Sequence, residues 1–140
     1  MKHLTLPNDI ETIPRLNEFI DGFCEETGIG MNVCTSLNLA IEEAVVNVMN
    51  YAYPEKTVGH VDIGMEADGN SLTVVISDTG RPFDPTKKKE LDVTLPAEQR
   101  EVGGLGIHLI RQIMDSIGYE YTDHKNILTL RKKLNKQEAL

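Results

Sequence analysis

The segment from Asn32 to Tyr53 constrains the fold of this 140-residue chain more than any other feature. Its apolar residues recur with a period of about 3.6 and form a wide stripe, which predicts a helix that buries one broad face, and Pro54 ends the pattern. The members of the stripe are Val33, Leu37, Ala40, Ile41, Ala44, Val45, Val48, Met49 and Ala52. Because such a face must pack on another layer, the remaining segments have to supply an apolar surface for it.

Shorter periodic segments surround this helix. They are an alternating run over 2–6, a helical run over 13–24 that Gly28 ends, two alternating runs over 61–65 and 72–76 with a turn at 68–70, a helical run over 105–117 that Gly118 ends, and two strands over 119–122 and 127–132. Since the strands come in hairpins and not in βαβ units, we predict an α+β fold. It is a two-layer sandwich with three main helices packed on one face of a mainly antiparallel mixed sheet, and residues 1–140 form a single domain.

The composition is that of an ordinary globular protein, with 40% hydrophobic and 26% charged residues. A formal net charge of -8 argues against nucleic acid as a partner, because phosphate binding requires a basic face, and it suits a basic protein surface. Cys24 and Cys34 lie in apolar-periodic segments without metal-ligand spacing, so we expect buried free thiols. Since no segment has the apolar run of a membrane span or a signal peptide, we place the protein in the cytoplasm.

Three segments contain residues suited to chemistry, and the first lies on the long helix. Glu43, Asn47 and Asn50 are spaced so that they share one side of it, flanking the apolar stripe without lying in it. A carboxamide oxygen placed there can bind a hard cation, and a carboxylate can accept a proton. A solvated polar face is the alternative for the same three residues, and their spacing alone favours that interpretation.

The second segment is Asp-Thr-Gly-Arg-Pro-Phe-Asp-Pro over residues 78–85. A buried apolar strand ends at Asp78, whose carboxylate can accept a hydrogen bond from a ligand amine such as that of adenine. Gly80 would let the base approach the backbone. An ordinary turn accounts for the same residues equally well.

The third segment, Val-Gly-Gly-Leu-Gly-Ile over residues 102–107, immediately precedes a helix. Glycines at a helix N-terminus free backbone amides to bind an anion such as phosphate, although a plain hinge also uses glycine. The segment does not match GxGxxG, and the chain contains no GxxxxGKS or GxxxxGKT. The sequence therefore excludes the Rossmann and P-loop phosphate sites.

Taken in order, the three segments resemble the N-box, G1 box and G2 box of the GHKL ATPase and kinase superfamily. The matching runs are EEAVVNVMNYAYP, DTGRPFDP and GGLGIHLIRQIMD. The short length and the run from Glu43 to Asn47 look most like the anti-sigma factor serine/threonine-protein kinases. The resemblance implies a GHKL-type ATP-binding fold, with ATP and Mg²⁺ as cofactors.

The resemblance also implies a role for each matching residue. These roles are general base for Glu43, Mg²⁺ ligand for Asn47, adenine reader for Asp78, wall of the base pocket for Gly80, and phosphate contact for Gly103, Gly104 and Gly106. The other residues expected to contact the nucleotide are Asn50, Tyr51, Phe83, Arg100, Leu105, Ile107 and Thr129. Tyr51 departs from the family, which often has histidine there. A strand threonine such as Thr129 is often no more than a good β-former.

Residues 84–104 would correspond to the ATP lid of the superfamily, which closes over bound nucleotide. Its cations are Lys87, Lys88, Lys89 and Arg100, and of these Arg100 is our choice for a phosphate contact. For the three lysines we favour a solvated charge run.

The resemblance implies a kinase that binds a sigma factor and phosphorylates a serine on an anti-anti-sigma partner of the STAS type, and it suggests a homodimer. A nucleotide-gated binding module of the same fold, without phosphotransfer, is the competing hypothesis, and retention of Glu43 favours the kinase. The catalytic domain of a sensor histidine kinase shares the fold. That enzyme needs a helical hairpin with a phospho-accepting histidine, for which this chain has no room.

Overall fold

The computed structural model describes residues 1–87 and 104–134, which contain five strands and three α-helices. The strands are β1 (Lys2–Pro7), β2 (His60–Asp68), β3 (Ser71–Asp78), β4 (Ser116–Thr122) and β5 (Lys125–Lys133). The helices are α1 (Ile13–Thr27), α2 (Met31–Tyr51) and α3 (Gly104–Ile113). Every element that the periodicity predicts is present.

The five strands form one sheet in the order β1-β2-β3-β5-β4, and each neighbouring pair is antiparallel. β3 is the central strand, and its last residue, Asp78, lies opposite Val61 of β2 and Asn126 of β5. Buried residues alternate with half-buried ones along β3, so one face of the sheet is covered more fully than the other. The buried residues on that face are Leu72, Val74, Ile76 and Asp78.

α2 packs on the covered face of the sheet, between α1 and α3. Its predicted stripe is buried except for Val33, which is half-buried, and Leu37, Ala40 and Ile41 have no exposed surface. Residues from the three helices and the sheet belong to a single cluster of buried apolar side chains. The predicted two-layer α+β architecture is therefore confirmed.

α1 ends where the sequence predicts. Gly28 has a φ of 76°, in the left-handed region that favours glycine, and its N–H donates to the carbonyl of Cys24. Cys24 and Cys34 are both buried and free, as expected. Burial raises the pKa of both thiols, so they stay protonated at neutral pH.

The predicted third helix is too long at its C-terminal end. α3 stops at Ile113, and Ile117 belongs to β4. The N–H of Asp115 donates to the carbonyl of Arg131 over 2.8 Å, and its Oδ2 accepts from the N–H of Lys133 over 2.6 Å. These bonds join the chain to β5 four residues earlier than periodicity indicated, because apolar residues at 113, 114 and 117 fit a helix and a strand alike.

α2 is the longest helix, with 21 residues, and it carries Glu42, Glu43 and Asn47 along its length. Within residues 1–87 and 104–134, no helix combines the length and the apolar character that a membrane span requires.

Two leucines on α2 test the predicted direction of its buried face. Leu37 is 0% exposed, whereas Leu39 is 51% exposed. We expect Leu37→Ala to lower the free energy of unfolding by about 2–5 kcal/mol, because it removes buried methyl groups and leaves a cavity. Leu39→Ala should change it by no more than about 0.5 kcal/mol. Urea unfolding of both variants measures the difference, and equal losses would contradict the orientation of α2.

Candidate functional site

Asp78 is a buried carboxylate at the end of the central strand, with 4% of its surface exposed. Its Oδ1 accepts hydrogen bonds from the N–H of Gly80 over 2.8 Å and from Nδ2 of Asn126 over 2.9 Å. Its Oδ2 is buried too, and no group in the described part of the chain donates to it. Since buried polar atoms nearly always have a partner, Oδ2 is the atom that a bound N–H donor would satisfy.

The surroundings of Asp78 act in opposite directions on its pKa. Burial is the largest influence and raises the pKa, because it disfavours the charged carboxylate. The hydrogen bonds from Asn126 and Gly80 lower it, because they favour the ionised form, and the net result is a raised pKa. A further donor on Oδ2 would stabilise the ionised carboxylate, so ligand binding and ionisation of Asp78 support each other.

Gly80 is required by a close approach between two backbone segments. A Cβ at this position would lie 2.4 Å from the carbonyl oxygen of Ala52, the residue that follows α2. The N–H of Arg81 donates to the same carbonyl over 2.8 Å. The sequence suggested that Gly80 makes room for a base, whereas the space that a side chain would need at Gly80 is filled by Ala52 at the end of α2. A base contact stays a prediction.

The side chain of Asn126 connects Asp78 to three neighbouring segments. It is 3% exposed. Its Nδ2 donates to Oδ1 of Asp78 and to the carbonyl of Arg81, each over 2.9 Å. Its Oδ1 accepts from the N–H of Phe83 over 2.9 Å and from the hydroxyl of Tyr119. The four bonds hold together the end of β3, the segment that follows it, β4 and β5.

Motif reasoning missed Asn126, although the sequence contained a signal for it. Asn126 alternates with Leu128 and Leu130, which places a polar residue on the buried face of β5. A buried carboxamide must have hydrogen-bond partners, so a search for polar residues within apolar alternation would have found it.

The aromatic rings of Tyr51 and Phe83 form a stacked pair beside this network. Their centroids are 5.4 Å apart and their planes differ by 8°. Nε of Arg81 donates to the carbonyl of Tyr51 over 2.8 Å, which ties the last turn of α2 to the segment after β3. Two residues predicted to contact the nucleotide therefore lie next to the residues that bond to Asp78.

Glu43 and Asn47 lie one turn apart on α2, on a side of the helix that is turned away from α1. The adjacent Glu42 accepts a hydrogen bond from Asn17 of α1 over 3.4 Å, and Glu43 lies about 100° further round the helix, away from α1. Glu43 is half-buried. Asn47, one turn on, is 6% exposed, so our expectation that it flanks the buried face without lying in it is wrong.

The candidate site has two carboxylates, those of Glu43 on α2 and Asp78 at the end of β3, and they lie far apart when measured along the axis of α2. Ala52, which touches the strand end at Gly80, lies nine positions after Glu43, or roughly 14 Å along the helix axis. Glu43 and Asp78 therefore do not form an acid–base pair acting on one atom. Their separation instead suits the two ends of one elongated ligand.

Two predicted contact residues lie apart from Asp78. Asn50 is exposed and lines a cleft of about 360 Å³ with Asn8 and residues 53–57, and neither Asp78 nor Gly80 borders that cleft. Thr129 is half-buried between inward-facing leucines, so its side chain lies on the opposite face of the sheet from Asp78. The structure does not bring Thr129 into the site.

The predicted phosphate contacts fall partly beyond the described residues. Arg100 and Gly103 lie outside them, as do Lys88, Lys89 and most of the predicted lid; Lys87 is exposed at the end of a short 3-10 helix. α3 begins at Gly104, as the glycine cluster predicts, and N–H groups in the first turn of a helix have no partner within it. The residues of that turn are Gly104, Leu105, Gly106 and Ile107. Of these, Ile107 is 1% exposed and its side chain packs in the core.

Comparison with known families identifies the arrangement. The model of the histidine kinase-like ATPase domain family matches residues 6–132. The chain belongs to this family. It is similar to the serine-protein kinase RsbW of Listeria monocytogenes serovar 1/2a, with 27% identity over 140 residues that cover 97% of this chain and 88% of that protein. RsbW of Bacillus cereus strain AH187 is 26% identical over 129 residues, which cover 89% of this chain and 80% of the relative.

Solved structures share the fold of this family member. One is the crystal structure of the RsbU and RsbW domains of a Mycobacterium tuberculosis protein, with a TM-score of 0.62 and 14% identity over 96% of this chain. The match spans 33% of that longer chain. A blue-light activated histidine kinase domain from Erythrobacter litoralis has a TM-score of 0.57 and 15% identity, and the match covers 95% of this chain and 64% of that one.

Because its charge is buried, we predict that the Asp78 carboxylate lowers the stability of the ligand-free protein. At about pH 7.5, Asp78→Asn should raise Tm by at least about 3 °C, the shift that roughly 1 kcal/mol produces in a chain of this size, because no ionised group is then desolvated. The folded pKa of Asp78 is raised, so the wild type gains stability as pH falls through that pKa and the difference should shrink in acid.

Thermal melting followed by circular dichroism measures this effect. Asp68→Asn is the matched control, since Asp68 is exposed at the end of β2 and its replacement should leave Tm within about 2 °C. A lower Tm for Asp78→Asn than for wild type at neutral pH would contradict the assignment of a destabilising carboxylate.

Proposed function

We propose that this family member is an ATP-dependent protein serine/threonine kinase that acts as an anti-sigma factor. In this proposal it binds a sigma factor and transfers the γ-phosphoryl group of ATP to a serine of an anti-anti-sigma partner of the STAS type, in the cytoplasm. The observation that carries the proposal is the buried Oδ2 of Asp78, which accepts no hydrogen bond from the described residues. The kinase names of the similar Listeria and Bacillus proteins support it.

The buried oxygen suits the exocyclic amine of adenine. An ionised carboxylate only accepts hydrogen bonds, and the amine of adenine donates them. Guanine has a carbonyl at the corresponding ring position, which would bring a second acceptor against Oδ2 of Asp78. The site therefore favours ATP and ADP over guanine nucleotides.

Asn47 is suited to hold Mg²⁺ through its carboxamide oxygen. Mg²⁺ prefers oxygen ligands and is commonly bound by one or two protein groups together with phosphates and water. In the described ranges no group of three or more His, Cys, Asp and Glu side chains is placed to bind a metal ion, so the remaining ligands would be nucleotide oxygens and water. The bound ion would neutralise charge on the phosphates.

Glu43 is suited to accept the proton of a serine hydroxyl. It lies one turn from Asn47 on α2, at the end of the site away from the base. A serine hydroxyl is a weak nucleophile at neutral pH, and a positioned carboxylate that takes its proton contributes about 10²- to 10⁴-fold in rate. Glu43 would therefore act where the γ-phosphoryl group is transferred.

The remaining contacts of the proposal involve the glycine cluster and the lid. Gly103, Gly104 and Gly106 would present backbone N–H groups to the phosphates at the N-terminus of α3. Arg100 would add a positive charge as residues 84–104 close over the nucleotide. A net charge of -8 favours association with a basic protein surface, and a homodimer is part of the proposal.

Asp78→Asn should weaken ADP binding by at least about tenfold. The substitution replaces a charged acceptor with a neutral amide, and a hydrogen bond to a charged group is worth about 1.5–3 kcal/mol. Isothermal titration calorimetry with Mg²⁺ and ADP measures the change, and Asp68→Asn should bind as wild type does. Equal affinities for Asp78→Asn and wild type would remove Asp78 from the site.

Replacing Glu43 should impair phosphotransfer, whereas replacing Asn47 should impair nucleotide binding. Glu43→Ala should bind Mg-ADP within about twofold of wild type and lose at least about 100-fold in phosphotransfer, because only proton acceptance is removed. Asn47→Ala should lose the Mg²⁺-dependent part of nucleotide affinity. Glu42→Ala is the matched control, since Glu42 faces α1 and should transfer phosphate normally.

The assay follows labelled γ-phosphate from ATP to the anti-anti-sigma protein, alongside nucleotide titration of each variant. Wild-type transfer by Glu43→Ala would place the base elsewhere. Nucleotide binding without any transfer by the wild type to its cognate partner would favour a nucleotide-gated binding module instead.

A further inference from the structure

We propose that Asn126 is the positioning residue for the adenine-reading carboxylate: its side chain holds Asp78 so that Oδ2 alone is presented to the base. This inference rests on the proposed nucleotide binding and adds a residue to it. Asn126 lies outside the three motifs, on β5, directly opposite Asp78 in the sheet.

The carboxylate of Asp78 is held in one orientation. The terminal torsion of an aspartate is broad and nearly two-fold, so without directional partners either oxygen could face a ligand. Two donors converge on Oδ1, the N–H of Gly80 at 2.8 Å and Nδ2 of Asn126 at 2.9 Å. They select one orientation, in which Oδ2 has no donor among the described residues.

The carboxamide of Asn126 is itself held in one orientation. Nδ2 also donates to the carbonyl of Arg81 over 2.9 Å, and Oδ1 accepts from the N–H of Phe83 and the hydroxyl of Tyr119. Turning the amide over would bring its oxygen against the Asp78 carboxylate and the Arg81 carbonyl. Both contacts would then be between acceptors, so the network enforces the donating orientation toward Asp78.

Few other side chains could make the hydrogen bonds of the Asn126 carboxamide. The four bonds use both N–H groups and both lone pairs of the carboxamide. Serine and threonine have one donor, and an ionised aspartate has none. An isosteric leucine would leave buried polar groups of the neighbouring segments without partners.

Several elements contribute charged or titratable groups around Asp78 and Asn126. β4 contributes Tyr119, whose pKa is raised by burial, and the segment after β3 contributes Arg81 and Asp84. From beyond α2, Tyr53 donates its hydroxyl to the carbonyl of His60 and accepts from the N–H of Thr79. The β2 residue opposite Asp78 is apolar Val61. ADP affinity can be compared between wild type and variants at position 126 from about pH 5.5 to about pH 8. A difference in how that affinity changes with pH therefore reports on the Asp78 carboxylate.

Asn126→Asp tests the proposal because it has nearly the same shape and a different donor capacity. At about pH 8 the introduced carboxylate is ionised, cannot donate to Asp78 and repels it, so ADP should bind at least about tenfold more weakly than to wild type. At about pH 5.5 the two carboxyl groups share a proton, as close pairs do, and the protonated group donates to Oδ1 of Asp78. Affinity should then return to within about threefold of wild type.

The readout is the ratio of variant to wild-type ADP affinity, measured by calorimetry at both pH values. This ratio cancels the titration of the nucleotide phosphates. Wild type alone should lose affinity on acidification as Asp78 takes up a proton, and this loss raises the ratio by itself. The proposal therefore requires that the affinity of Asn126→Asp for ADP itself rises from about pH 8 to about pH 5.5. A merely structural role would give a ratio that does not depend on pH, and that result would overturn the proposal.

Two further variants keep the test decisive. Tyr121→Phe removes an exposed hydroxyl from β4, outside the described hydrogen bonds of Asn126, and should bind ADP within about twofold of wild type at both pH values. Asn126→Ala removes the donor without adding charge, and should shift the acid loss of ADP affinity to higher pH even if Asn126→Asp does not fold. An unshifted profile in Asn126→Ala would overturn the proposal. Absence of ADP binding by wild type would overturn the proposed function as well, whereas normal binding by both Asn126 variants would overturn this inference alone.

Discussion

The burial of the Asp78 carboxylate at the end of β3 is the constraint on which the rest of the site depends. A charged group stays in a protein interior only when hydrogen-bond donors compensate for the lost water, and here the donors are Gly80 and Asn126. Each donor depends on a larger feature of the fold. The antiparallel pairing of β3 with β5 puts Asn126 opposite Asp78, and the contact between Gly80 and Ala52 fixes the strand end against α2.

α2 joins the core and the site in one rigid element. Its inward face fills the interior with Leu37 and Ile41, while another side of the same helix carries Glu43 and Asn47. Groups on a packed helix keep their relative positions better than groups on a loop, which suits the proposed alignment of a base, phosphates and a hydroxyl. The uncompensated oxygen of Asp78 stores instability in the free protein, and a ligand that binds only the folded state would relieve it.

Long periodic segments were predictable from the sequence because many residues agree on one pattern, as in α2 and the β2–β3 hairpin. The end of α3 was not, since Ile113 and Ile117 fit a helix and a strand equally until Asp115 bonds to β5. Local motifs also predicted Asp78, Glu43 and Asn47 as candidate site residues. Asn126 was missed because its importance comes from strand register, and register is set by pairing between segments that lie far apart in the chain.

The central claim is that Oδ2 of Asp78 accepts a hydrogen bond from the adenine amine, and a comparison of two ligands tests it without any mutation. Purine riboside 5′-diphosphate matches ADP except that it lacks the exocyclic amine. Calorimetric titration of the wild-type protein with each nucleotide, in the presence of Mg²⁺, measures the contribution of that one group. The account predicts that ADP binds at least about tenfold more tightly, because the analogue leaves a buried carboxylate oxygen without a donor. Equal affinities for the two nucleotides would contradict it.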